Sequence, residues 1–154
     1  MRKFRFLVIL VIGLVACSSD EIYTVQDVRL HSRTDSLNYM AGYFAGIRLK
    51  QDLFAMDSTA TTVTHFVNAM ESAYNNKEEE VDNYPLEEHA KEGAKLIGRT
   101  IREQERESGL MGINGLETDF DIIKQGLING LYFDTTVVKP DSAVIYMNTV
   151  IPIQ

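Results

Sequence analysis

Cys17 is the only cysteine of this 154-residue chain, and its thiol is the side chain best placed to do chemistry. It follows three basic residues, Arg2, Lys3 and Arg5, and an apolar run over residues 6–16. As a helix that run rises about 16 Å, which is too short to cross a hydrocarbon core of about 30 Å. Basic residues followed by a short apolar run are typical of a secretory signal that is removed. We therefore expect cleavage next to Cys17.

The end of this signal, Leu14-Val15-Ala16-Cys17, resembles the lipobox of bacterial lipoproteins. In a lipobox the cysteine thiol is alkylated with diacylglycerol, the preceding peptide bond is cut, and the new amine is acylated. The resemblance implies that residues 1–16 are a signal peptide and that Cys17 is lipidated. Two or three acyl chains anchor a protein stably, whereas one is marginal. Ser18 does not resemble the Asp that retains lipoproteins in the inner membrane. We expect an outer-membrane anchor, on the periplasmic face or at the cell surface. The alternative is an ordinary signal with a chance cysteine.

The charge and the cysteine content of the chain limit which classes of molecule it can bind and how its fold can be stabilised. The chain has 22 acidic residues against 15 Lys and Arg residues, for a net charge of −7. Nucleic acids and anionic lipid head groups repel such a chain. Lipidation of Cys17 would leave no thiol for a disulfide, so that the fold must rely on packing. We expect no nucleic-acid partner, and membrane attachment through the lipid.

The other reactive side chains form no catalytic or metal-binding pattern. His31, His65 and His89 are scattered, with no second ligand at metal spacing. The acidic run 117–121 lacks the Gly and the terminal Glu of a Ca²⁺ loop and suits the positive end of a helix. The hydroxyl-rich stretch 58–64 resembles a polar helix start. We expect no catalytic residue, no metal and no cofactor.

The elements that carry these residues are predicted to be all-α. Residues 17–33 are predicted to be a tether, and 34–154 a helical domain. Apolar residues at three- and four-residue steps predict four helices and a short fifth. The first helix is predicted to start at Thr34, with capping oxygens among residues 34–36, and Asp57 and Ser58 are predicted to cap the second. The third is predicted to start at Pro85 and to run to about Glu107. Thr118 or Asp119 is predicted to cap the fourth, and Pro140 to start the fifth. The connections are predicted to be a solvated linker over 77–83 and a glycine-rich loop over 108–115.

The third and fourth helices repeat the first and second. Met40-Ala41-Gly42 matches Leu96-Ile97-Gly98, and Phe66–Met70 matches Ile123–Leu127, which gives units of about 34–76 and 85–133. Glycine inside a helix costs roughly 0.5–1 kcal/mol relative to alanine, so these glycines need a packing reason. Small residues at 42, 69, 98 and 126 would let helices approach closely. The predicted helix-packing or dimer residues are Leu37, Met40, Gly42, Phe44, Phe66, Ala69, Met70, Ile97, Gly98, Ile101, Ile123, Gly126 and Leu127.

The repeat carries a family resemblance. Asp35-Ser36-Leu37-Asn38-Tyr39-Met40-Ala41-Gly42 resembles the opening of the N-terminal domain of FKBP-type peptidyl-prolyl isomerases, of the macrophage-infectivity-potentiator kind. Residues 66–70 and 122–130 are similar to the second helix of that domain. The resemblance covers 35–151. In that family these helices interlock two subunits, and a C-terminal FKBP domain performs the isomerisation. Only 141–154 follows the second unit, and the chain has no Trp. The resemblance therefore implies that the catalytic domain is absent from this chain.

The resemblance implies a lipid-anchored helical dimerisation or client-holding module without catalysis of its own. Its partners would be a second copy, in a homodimer, or unfolded envelope proteins held between subunits. Two alternatives stay open. The chain could be a truncated or split isomerase, or an envelope assembly or adhesion lipoprotein that shares the helical fold.

Overall fold

The computed structural model describes residues 22–53, 59–107, 109–110 and 113–132, and the fold is all-α, as predicted. The signal peptide, Cys17, the predicted caps Asp57 and Ser58, and the predicted fifth helix lie outside the described residues. The elements are α1 (Arg33–Asp52), α2 (Ala60–Tyr74), a 3₁₀ helix (Glu78–Asn83), α3 (Glu88–Arg106), β1 (Gly109–Leu110), β2 (Ile113–Asn114) and α4 (Phe120–Leu131).

The first helix begins just before its predicted start at Thr34, because its cap is Ser32. The Ser32 hydroxyl accepts the N–H of Asp35 at 3.0 Å, and the Asp35 carboxylate accepts the N–H of His31 at 2.8 Å. This reciprocal arrangement satisfies two N–H groups at the helix start. Hydrogen bonding from Ser32 and His31 also lowers the pKa of Asp35.

The starts of the other helices fit the predictions to different degrees. Asp119, one of the two predicted caps, does cap α4, and its carboxylate accepts an N–H three residues on at 3.0 Å. Thr59 caps α2 in the same way at 3.3 Å. The predicted start of the third helix at Pro85 is wrong. That helix begins at Glu88, because the backbone of Glu87 is still extended, with ψ of 152°.

The predicted solvated linker over 77–83 is in part a packed element. Residues Glu78–Asn83 form the 3₁₀ helix, and the side chain of Val81 is fully buried in the core. The acidic residues around it stay at the surface, where Asp82 pairs with Lys95 of α3 at 3.1 Å. The buried Val81 and the ion pairs of Glu78 and Asp82 with α3 together dock this segment. The high charge of the segment concealed its one buried apolar residue.

The predicted glycine-rich loop over 108–115 contains a minimal antiparallel pairing. Gly109 lies opposite Asn114, and Leu110 lies opposite Ile113. Leu110 is buried, so that the turn closes one edge of the core. Gly115 has a φ of +81°, which is favourable only for glycine.

The helices pack in two parallel pairs, and each pair joins the two repeat units. α1 packs on α4, and α2 packs on α3. Moving along α1 from Gly42 to Gly46 moves the contact along α4 from Ile123 to Leu127 and Leu131, so the two helices run in the same direction. The arrangement is therefore symmetric: the first helix of either unit packs on the second helix of the other.

The core lies between the two pairs, and α2 supplies most of it. The fully buried apolar residues come mainly from α2 and α4, with smaller contributions from α3 and the 3₁₀ helix. Those at 0 % exposure are Val63, Phe66, Val67, Ala69, Met70, Ala73, Val81, Ala94, Leu127 and Leu131.

Candidate functional site

Most of the residues predicted for helix packing or dimerisation are buried inside one copy of the chain. Three of the thirteen, namely Met40, Phe44 and Ile97, are only half-buried. The buried ones are Leu37, Gly42, Phe66, Ala69, Met70, Gly98, Ile101, Ile123, Gly126 and Leu127. The apolar stripes therefore serve mainly the internal helix pairs.

The small residues are the points of closest approach. A Cβ placed on Gly42 would overlap the carbonyl oxygen of Ile123 and lie 2.9 Å from the nitrogen of Leu127. A Cβ on Gly98 would overlap the carbonyl oxygen of Met70 and lie 2.8 Å from the nitrogen of Tyr74. Both helix pairs thus pack backbone against backbone, which explains why glycine stands inside these helices.

The contacts correct the sequence alignment of the two units by about one helical turn. Gly98 contacts Met70, and in the other pair the Cβ position of Gly46 lies against the carbonyl oxygen of Leu127. Because Met70 and Leu127 are matched in the repeat, Gly98 corresponds in space to Gly46 and not to Gly42. The counterpart of Gly42 is then the buried Ala94.

A buried amide fixes the start of α1 to the start of α4. Asn38 is 1 % exposed; its amide nitrogen donates to the carbonyl of Glu117 at 2.9 Å, and its amide oxygen accepts the N–H of Asp119 at 2.9 Å. The amide also donates to Thr34 within its own helix at 3.0 Å. Within the described residues, no buried side-chain polar atom lacks a hydrogen-bond partner. Asn38 therefore sets the longitudinal register of the α1–α4 pair.

The described part of the predicted tether is not free of the helical body. Residues 22–31, called the strap below, have no regular secondary structure and are hydrogen-bonded to α2 and α4. The Gln26 backbone is held at both its polar groups by the Asn129 side chain, at 3.1 and 2.8 Å. The Tyr23 N–H donates to the Thr64 hydroxyl at 3.3 Å, and its carbonyl accepts from the Tyr132 hydroxyl at 3.0 Å. The folded part of the chain therefore includes the ten residues of the strap, which precede the cap of α1.

The three histidines lie apart in the fold. His89 contacts Glu87 at 3.3 Å at the surface, His65 lies beside the ring of Tyr84, and His31 contributes its backbone N–H to the α1 cap. No group of three or more His, Cys, Asp or Glu side chains in the part of the chain that the structure describes is placed to hold a metal ion.

An open groove of about 440 Å³ lies beside the start of α4 and has an acidic rim. Its floor is the stacked ring pair Tyr74 and Phe120, with centroids 3.8 Å apart. Burial, together with a hydrogen bond to Glu105, raises the pKa of the Tyr74 phenol to about 12. The protonated phenol donates a hydrogen bond to the Glu105 carboxylate. Asp121 on the rim lies in the first turn of α4 and forms an ion pair with Lys124, three residues later, at 3.3 Å.

One apolar face of α1 lies outside the core. Met40 and Phe44 are one helical turn apart and half-buried, and neither belongs to the core cluster formed by the described residues. The ring of Phe44 lies edge-on to Tyr43 at 6.2 Å. Since Gly42 and Gly46 face α4, these two side chains project from a different side of the helix.

Comparison of the chain with protein-family models, with curated protein sequences and with solved structures finds no match. The described helices include none that is long and apolar enough to span a bilayer.

The strap residues and Asn129 are what sequence reasoning missed. The strap has no apolar period, and most of the hydrogen bonds that hold it involve its backbone. Only the polar Asn129 in an otherwise apolar and small stretch, Gly126–Gly130, signals that something polar must dock there.

Proposed function

We propose that this chain is a lipid-anchored, non-catalytic holding module of the type found at the N-terminus of FKBP-type isomerases, with association as its function. The observation that carries the proposal is the crossed pairing of α1 with α4 and of α2 with α3. In the family that the sequence resembles, helices of this kind interlock two subunits. A chain with two such units can build the interlocked arrangement by itself.

The internal pairing bears on the partner. Gly42, Gly98 and Gly126 each pack against another helix of the same chain. A second copy or an unfolded client therefore needs a different surface for binding. The half-buried face of Met40 and Phe44 on α1 is the surface we assign to it, because apolar side chains outside a core favour contact with another apolar surface. A homodimer formed through this face remains the preferred assembly.

The proposed location follows from Cys17. Its acyl chains would hold the body at the outer membrane, beside newly exported proteins. The net charge of −7 favours protein partners over nucleic acid.

The test uses the purified lipoprotein in detergent. A light-scattering assay with a reduced, unfolding client protein measures holding, and a proline-peptide assay measures isomerisation. We expect suppressed aggregation and no isomerisation. Catalysed isomerisation would instead favour the enzyme alternative, and a lack of both activities would contradict the holding role.

A second measurement addresses the dimer. Sedimentation of the acyl-free chain at micromolar concentration is expected to give a dimer that Phe44→Ser weakens and Leu96→Ser does not, since Leu96 is an exposed apolar residue on α3. A monomer at that concentration would contradict the homodimer.

A further inference from the structure

Large exposed apolar side chains are unevenly distributed over the described residues. Ile22, Val25 and Leu30 are 59 %, 61 % and 38 % exposed, and all three lie on the strap. The fourth, Leu96 on α3, is 60 % exposed and lies alone. Exposed apolar residues close together in one segment mark a contact surface, whereas a single one is ordinary.

The strap cannot withdraw these side chains, because its backbone is fixed to the helices. Asn129 holds both polar groups of the Gln26 backbone, and the Gln125 amide donates to the carbonyl of Thr24 at 3.3 Å. The Tyr23 hydroxyl donates to Glu71 of α2 at 3.3 Å. Val25 therefore lies between two anchored residues, and its largely exposed side chain lines an open groove beside Tyr39 and Tyr43 of α1.

Cys17 limits how far this surface can be from a membrane. Four residues lie between Cys17 and Ile22, which makes five steps along the chain, and a fully extended chain spans at most about 3.6 Å per step, or about 18 Å in total. A lipid on Cys17 would thus keep the strap within about that distance of the head groups. A free tether would let the body move away, whereas the docked strap does not.

We propose that the strap is a membrane-contact edge, in which Ile22, Val25 and Leu30 enter the interfacial layer of the bilayer that holds the Cys17 lipid. This inference rests on the proposed lipidation. The occupant is a lipid surface, because the segment adjoins the anchor and the exposed side chains of Ile22, Val25 and Leu30 do not belong to the core cluster of the described residues. The contact would orient the body, with the strap edge of α2 and α4 toward the membrane.

The experiment uses the lipidated chain in phosphatidylethanolamine–phosphatidylglycerol vesicles. Val25→Cys and Leu96→Cys each receive an environment-sensitive dye, and acylated Cys17 does not compete for it. The two positions are matched in exposure, so Leu96→Cys controls for the affinity of the dye for lipid. Lipids that carry a nitroxide quencher near the head group then report contact.

We expect a blue shift and strong quenching for the dye at position 25, and neither for the dye at position 96. Equal, weak quenching at both positions, on a chain whose acylation is established by mass spectrometry, would overturn the membrane edge and leave the anchor intact. A chain that carries no acyl group would overturn both. Circular dichroism of the labelled variants establishes that the helices are retained.

Discussion

Gly46 of α1 and Gly130 of α4 meet backbone to backbone, since a Cβ placed on Gly46 would lie 2.9 Å from the Cα of Gly130. The two residues belong to different repeat units and are far apart in sequence. Their contact shows that the units are not two separate helix pairs in a row. Each unit is completed by the other, so we expect neither to be stable alone.

The first prediction concerns the matching contact in the other pair. Gly98→Ala places a methyl group against the Met70 carbonyl and the Tyr74 nitrogen, both of which are backbone atoms that cannot turn away. We expect a loss of about 2 kcal/mol in the free energy of unfolding, within the range for overpacked cores. Urea denaturation followed by circular dichroism measures it.

Gly93→Ala on the same helix is the control. Its added methyl would lie 3.2 Å from the end of the Leu53 side chain, which can move. Alanine is favoured over glycine inside a helix by up to about 1 kcal/mol, so this variant is expected to be neutral or more stable. Equal effects at the two positions would contradict the close α2–α3 packing.

The second prediction concerns Asn38. Asn38→Ala leaves the carbonyl of Glu117 and the N–H of Asp119 without their partner at the start of α4. A buried polar group without its hydrogen bond costs about 1–3 kcal/mol, and we expect a loss in that range on thermal or urea unfolding. Gln51→Ala, exposed on the same helix, is expected to stay within about 0.5 kcal/mol of the parent chain. A neutral Asn38→Ala would argue against the register role.

The third prediction concerns the docking of the strap. Asn129→Ala removes both bonds to the Gln26 backbone, and trypsin should then cut after Arg29 more readily. Each hydrogen bond contributes about 1 kcal/mol, so the loss of two raises the population of the undocked strap about tenfold or more. The rate of cleavage follows that population. Asn75→Ala, at an exposed position, serves as the control. Cleavage at an unchanged rate would show that the strap is held by other contacts.

The fourth prediction concerns pH. The pKa of Tyr74 is raised from 10.0 to about 12 in the folded chain, so the folded state keeps this proton where the unfolded state loses it. The contribution of the phenol to stability is complete below pH 10 and is lost as the pH rises from 10 toward 12. Between these values the parent chain should lose stability more steeply than Tyr74→Phe. Parallel stability profiles of the two chains would contradict a partly buried phenol that is hydrogen-bonded to Glu105.

The sequence predicts the helices well because their signals are local. Apolar spacing predicts α1, α2 and α4, and Asp119 is one of the two residues that the sequence predicts as the cap of α4. The error at Pro85 has a local cause too. Proline is suited to a first helical position, yet the backbone here stays extended through Glu87.

The pairing was harder to predict because periodicity identifies a face and not its partner. Gly42 and Gly98 were rightly expected to need close contact, but nothing in the sequence says that α1 contacts α4. For the same reason, the sequence does not show that Gly98 corresponds in space to Gly46, one helical turn away from Gly42. Val81 was hidden in an acidic run. Most of the hydrogen bonds that hold the strap involve its backbone, which carries no sequence signal.

The central claim is that α1 and α4 pair within one chain. Nuclear Overhauser spectra of a mixture of isotope-labelled and unlabelled chains test it most directly, because filtering separates contacts within a chain from contacts between chains. Pairing within one chain predicts a cross-peak between the Cα hydrogens of Gly46 and Gly130 in the intrachain spectrum and none in the interchain spectrum. A cross-peak that appears only between chains, or contacts of Gly46 with α2 instead of α4, would contradict it.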